Sequence, residues 1–136
     1  MNRSLLLRVL TGVALLVVAG VHIAIAGTYS GIGKHPFALG DQFYIQSVIA
    51  VVLTVALLVR PHLLVWLATA GFAAGSLAVL VYSRYKTIPV PGFPPGFMET
   101  WDARGAKLAA ISEGAALVLS TIGAGLALKD RQDRSS

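Results

Sequence analysis

Long stretches without charge decide what this chain can fold into. No Asp, Glu, Lys or Arg falls between Arg8 and Lys34, between Asp41 and Arg60, or between Arg60 and Arg84. From Lys107 to Lys129 only Glu113 interrupts the run. A helix crossing the hydrocarbon core needs roughly 20 predominantly apolar residues, and each stretch supplies them. Charged residues make up 12% of the 136, against about 25% in a soluble domain. That is too little polar surface to coat a globule in water, so lipid must be the solvent for much of the chain.

Within lipid the backbone must satisfy its own hydrogen bonds, which leaves helices or closed barrels. The runs are continuous, not alternating, and rich in Leu, Val and Ala, which predicts helices. The expected fold is all-α: one polytopic membrane domain over residues 1–136, with four transmembrane helices in an antiparallel bundle and an aromatic and Pro-rich outer loop. The spans are expected at about 9–27, 42–59, 62–83 and 107–128. The turn at Arg60-Pro61-His62 is short enough to make the second and third spans a hairpin, with Pro61 in the first turn of the third, where its missing N–H costs nothing. Gly71 and Gly75 form a GxxxG that predicts a close helix contact.

Orientation follows from the basic residues. Arg3, Arg8, Arg60, Lys129, Arg131 and Arg134 lie at one end, and Lys34, Arg84, Lys86, Arg104 and Lys107 at the other. The first helix usually dominates, and Arg3 and Arg8 precede it. Both termini are therefore expected in the cytoplasm, with the chain in the cytoplasmic membrane. A second reading stands beside this one: Met1 to Ala26, with its basic start and Ala24-Ile25-Ala26, also has the form of a cleavable signal peptide. The formal charge of +5 is read as binding to the lipid bilayer surface, not to nucleic acid. With no cysteine, thiolate metal sites and disulfides are excluded.

The outer end carries the unusual residues. Of two Trp, four Tyr and five Phe, all but Trp66 and Phe72 lie in or beside the two longer loops. The second of these loops also holds Pro89, Pro91, Pro94 and Pro95, which stiffen it. Two readings are open: plain interfacial anchoring, or an aromatic lid over a pocket. Two ionisable residues, His22 and Glu113, fall inside spans, and Gln46 lies at a similar depth. Intramembrane ionisable groups are expensive and mark function by default. The face around Glu113 is Ala106, Ala109, Ala110, Ala116, Leu117 and Ser120, small enough for close packing, so Glu113 is expected to face inward. The expected ligand-binding group is His22, Gln46 and Glu113 with Tyr44, Tyr82 and Trp101. The alternative is a structural clamp between the first, second and fourth helices. No spacing links His35, Met98, Glu99 and Asp102 into a metal site, and a bis-His haem lacks its second inward histidine. No cofactor, metal or catalytic residue is expected, and no phosphate loop, HExxH or Ser-His-Asp pattern is present.

The run Arg8-Val9-Leu10-Thr11-Gly12 leading to Gly20-Val21-His22, the Arg60-Pro61 turn, Tyr82-Ser83-Arg84, the Pro-Gly loop with Glu99, and Glu113 near the start of the last apolar helix together form a pattern. It resembles that of small four-helix DoxX-like membrane proteins and of uncharacterised actinobacterial integral membrane proteins. The resemblance implies a link to respiratory oxidases or oxidative stress, and carries over no catalytic residue. Three functions are consistent with the sequence. The first is an accessory or scaffold subunit packing with a larger membrane complex, such as a respiratory one, or with further copies of itself. The second is a binding module for a small lipophilic ligand, a quinone or lipid, under the aromatic cap. The third, with least support, is a proton-coupled transporter or an enzyme.

Overall fold

The computed structural model describes residues 3–87 and 96–135. It contains four helices: α1 (Arg3–Tyr29), α2 (Leu39–Val59), α3 (Leu63–Tyr82) and α4 (Ala106–Ser135). All four are long and apolar enough to cross a membrane, and no strand occurs among the described residues. Helices α1, α2 and α4 outrun their expected spans, because charge marks where lipid ends and not where helix ends, while α3 falls one residue short of 62–83 at each end. Helix α4 continues through Lys129, Arg131 and Arg134, all exposed. Helix α2 begins earlier than expected, at Leu39, with Asp41 in its first turn, where a negative charge suits the helix dipole.

Pro61 lies before helix α3, not in its first turn. His62 is the N-cap instead: its Nδ1 accepts from Leu64 N at 3.3 Å, which starts the helix one residue after the histidine.

Packing runs α2, α1, α4, α3 around the bundle, and the ring closes only loosely between α2 and α3. The expected α2–α3 hairpin is thus consecutive in sequence but splayed in space. The cause lies in what each helix turns inward. Helix α2 buries Gly40, Ser47, Ala50 and Thr54, small residues that draw it against α1. A Cβ on Gly40 would lie 2.5 Å from Ala26 O, and Ser47 Oγ donates to Ala19 O at 3.1 Å. Helix α3 instead seats Trp66 on Gly123 of α4, where a Cβ would meet the indole ring at 2.4 Å. Gly71 and Gly75 are exposed with nothing within 4 Å of a Cβ. The GxxxG face therefore points away from the bundle and makes none of its contacts.

Two apolar clusters fill the interior. The larger, with Leu15, Ala50, Leu57, Trp66, Ala116 and Ala124, occupies the half nearer the termini, and the smaller gathers Val21, Ile25 and Ala109 toward the other end. Buried hydroxyls cost little here because most bond inside their own helix: Thr11 to Leu7 O, Thr54 to Ala50 O, Thr69 to Val65 O and Ser112 to Leu108 O. Such back-bonding meets a polar group's needs without a partner helix. The exceptions define the site.

Candidate functional site

One polar side chain from each helix converges at one level of the bundle. His22 sits seven residues from the end of α1, Gln46 seven from the start of α2, Ser76 six from the end of α3 and Glu113 seven from the start of α4. At 1.5 Å per residue each lies about 10 Å inside its helix end. This agreement follows from the antiparallel arrangement, which brings those four ends together. Glu113 is 1% exposed and His22 3%. Glu113 Oε1 lies 3.7 Å from His22 Nε2 and 2.6 Å from Ser76 Oγ, and Ser76 Oγ also lies 2.9 Å from Gln46 Oε1. The Ser76–Gln46 contact bridges the loose α2–α3 seam. Phe43 stacks on the His22 imidazole, centroids 5.1 Å apart and planes within 6°, and Tyr29 meets Phe43 edge-on at 5.2 Å.

These side chains border a cavity that opens at the end of the bundle away from the termini. Its volume is about 560 Å³ with the mouth included, of which about 70 Å³ can take the centre of a water-sized sphere. The walls are largely apolar: Ile25, Leu39, Phe43, Val79, Leu80, Phe97 and Ala109. The polar groups sit at two levels. His22, Gln46, Ser76 and Glu113 lie at the deeper one, and Tyr29, Ser83, Arg84, Glu99 and Arg104 nearer the mouth.

At the upper level Tyr29 OH donates to Glu99 Oε2 at 2.5 Å, and Glu99 N donates to Ser83 O at 3.0 Å, tying the chain before α4 to the ends of α1 and α3. The Arg84 guanidinium lies 5.4 Å above the centroid of a Trp101 ring, and its Nη1 donates to Ser83 Oγ at 3.3 Å. Burial pulls the Arg84 pKa below its usual range, opposed by the nearby Glu99 carboxylate. Gly105, at φ 79°, turns the chain into α4.

Three buried side-chain atoms have no hydrogen-bond partner among the described residues: His22 Nδ1, Glu113 Oε2 and Arg84 Nε. All three belong to residues lining this one cavity. Buried polar atoms are nearly always paired, and an unpaired one asks for an explanation.

The structure brings together His22, Gln46 and Glu113 of the expected group. It places Trp101 under Arg84, beside the cavity. Tyr44 and Tyr82 do not belong there: they are 50% and 46% exposed and line no part of the cavity. They project from the outer faces of α2 and α3, as interfacial tyrosines do. The aromatic residues divide accordingly, Tyr29, Phe43 and Phe97 lining the cavity and Phe37, Tyr44, Tyr82 and Tyr85 facing outward. Pro89, Pro91, Phe93, Pro94 and Pro95 lie outside the described residues. The sequence reading missed Ser76, Arg84, Tyr29, Phe43 and Glu99 as site residues. For Ser76 the sequence held only a weak signal, its place seven residues inside the expected end of the third span.

No group of three or more His, Cys, Asp or Glu among the described residues is arranged to hold a metal ion. No protein-family model, curated protein or solved structure matches the chain.

Proposed function

We propose that this chain is a binding module of the cytoplasmic membrane for a small lipophilic ligand such as a quinone or a lipid. Its polar end would be held by His22, Gln46, Ser76 and Glu113. One observation carries the reading: His22 Nδ1 and Glu113 Oε2 are buried, unpartnered and on residues that line a mainly apolar cavity. A cavity that is apolar with a few convergent polar groups is the usual form of a small-molecule site. A purely structural clamp would consume those two atoms in interhelical bonds. The loose α2–α3 seam, bridged by the Gln46–Ser76 contact, gives a lipid-dissolved molecule a path from the side. In this reading both termini lie in the cytoplasm and the mouth faces outward. The DoxX-like resemblance, with its respiratory link, makes a quinone the first ligand to try.

Native mass spectrometry of the chain incubated with membrane lipid extract tests the proposal. A stoichiometric small-molecule adduct on the unaltered chain, weakened by Ser76→Ala, is the expected result. An adduct-free spectrum across total extracts contradicts it.

The scaffold reading keeps one observation of its own. Ala68, Gly71, Ala74, Gly75 and Ala78 leave a small-residue face of α3 exposed, the kind of face on which helices pack closely in lipid. Stoichiometric co-purification of a second protein in mild detergent, lost on Gly75→Leu, would support it. A monomer free of other proteins would oppose it.

A further inference from the structure

The upper half of the cavity holds more cationic than anionic charge. Arg84 lines the cavity, its guanidinium is held over Trp101, and its Nε is buried without a partner among the described residues. The Glu99 carboxylate, which accepts from Tyr29 OH at 2.5 Å through Oε2 and from Thr100 N at 3.4 Å through Oε1, offsets one of the two arginine charges at this level. No carboxylate among the described residues comes within 4 Å of the guanidinium. Arg104 lies on the same wall. Two arginines against one glutamate leave the mouth with a charge of +1. The deeper level has no such excess, since Glu113 faces only a histidine there.

We propose that Arg84, assisted by Arg104, receives an anionic group at the outer end of the ligand whose inner polar end meets His22, Gln46, Ser76 and Glu113, which makes the ligand class an anionic amphiphile with a carboxylate or phosphate at the mouth. The inference rests on the binding-module reading and adds the charge and position of the ligand's outer end. Guanidinium is the side chain suited to carboxylate and phosphate, presenting a planar fork of N–H donors and stacking on aromatic faces at the same time. The Trp101 ring takes one face of Arg84 and Ser83 takes Nη1, while Nε has no partner among the described residues. Below the arginine, Ile25, Val79, Leu80 and Phe43 supply an apolar wall for the alkyl chain. The vertical order of cation above apolar wall matches a molecule whose charged end stays at headgroup level.

Trp101 makes the test direct, because it touches the proposed anion-binding residue while Trp66 lies at the other end of the bundle. The full chain in nanodiscs of zwitterionic lipid is titrated with decanoate, decyl phosphate, decanol, acetate and inorganic phosphate, and Trp emission is followed. Decanoate and decyl phosphate are expected to bind at least about tenfold more tightly than decanol, with no saturable response to acetate or inorganic phosphate. Arg84→Gln is expected to bring decanoate and decanol within about threefold of each other, and Arg84→Lys to keep part of the preference. Equal binding of decanoate and decanol by the unaltered chain overturns the anionic end, without depending on any variant's folding. A preference that survives Arg84→Gln overturns the assignment to Arg84. Saturation by acetate or inorganic phosphate alone overturns the amphiphile in favour of a free-anion site. Decanol binding that is lost in Ser76→Ala, with no preference for the anions, would sink this inference and leave the binding module standing. Failure of every alkyl compound to bind would remove both.

Discussion

Ser76 shows how much a single hydroxyl decides. Its Oγ lies within hydrogen-bond distance of two acceptors, Gln46 Oε1 at 2.9 Å and Glu113 Oε1 at 2.6 Å, but a hydroxyl has one proton to give. Two arrangements satisfy the cluster. Either the Gln46 amide turns its NH2 toward Ser76, so that donation runs Gln46 to Ser76 to Glu113, or Glu113 carries a proton and donates to Ser76. Ser76→Ala removes the middle member in both cases and strands the buried Glu113 carboxyl and the half-buried Gln46 amide. It should lower stability by about 1–3 kcal/mol, read as the midpoint of denaturation in detergent. Thr121→Ala deletes an exposed hydroxyl that bonds back to Leu117 O and should change it by no more than about 0.5 kcal/mol. Equal effects would mean that Ser76 is not integral to the cluster. His22, Gln46 and Glu113 were legible in the sequence because charge and amide groups are conspicuous in apolar runs. Ser76 was not, because a serine in a span ordinarily bonds to its own helix, as Thr54 and Thr69 do here. Tyr44 and Tyr82 were misread for a related reason: aromatic type marks the interface level but not the side of the helix.

At the scale of elements, helix existence was legible and helix pairing was not. Apolar length suffices to locate four spans, whereas partners are chosen by shape, through contacts such as Gly40 on Ala26 and Gly123 on Trp66. The GxxxG at Gly71 and Gly75 carried the stronger sequence signal, yet a Cβ on either would meet nothing within 4 Å among the described residues, while the isolated Gly123 is the one the α3–α4 contact requires. Gly123→Ala should therefore cost about 1–3 kcal/mol through overpacking against the indole. Gly71→Ala and Gly75→Ala, with open space around them, should be neutral or slightly stabilising through helix propensity. Thermal melts of the three variants in one detergent check the contrast, and a neutral Gly123→Ala would refute the packing described for α3. The loop residues of the site, Glu99 and Arg84 above all, were illegible because their positions come from tertiary bonds to Tyr29, Ser83 and Trp101, which no local pattern encodes.

At the scale of the molecule, two well-packed helix pairs, α1 with α2 and α3 with α4, join through α1 and α4 and leave α2 and α3 apart. The polar cluster bridges that gap at one level, below a cavity that keeps unpartnered atoms on both His22 and Glu113. If those residues served the fold alone, apolar replacements would serve it as well. Removing one member of a buried polar pair strands the other and costs about 1–3 kcal/mol, while replacing both by apolar groups can be nearly neutral. His22→Ala and Glu113→Ala should each lower the melting temperature, and the double variant should recover much of the loss, since coupled residues are non-additive. The decisive measurement is native mass spectrometry of that double variant beside the unaltered chain after incubation with membrane extract. A double variant that regains stability yet carries no small-molecule adduct is the predicted result, whereas one that keeps the adduct in full would contradict a binding role for His22 and Glu113.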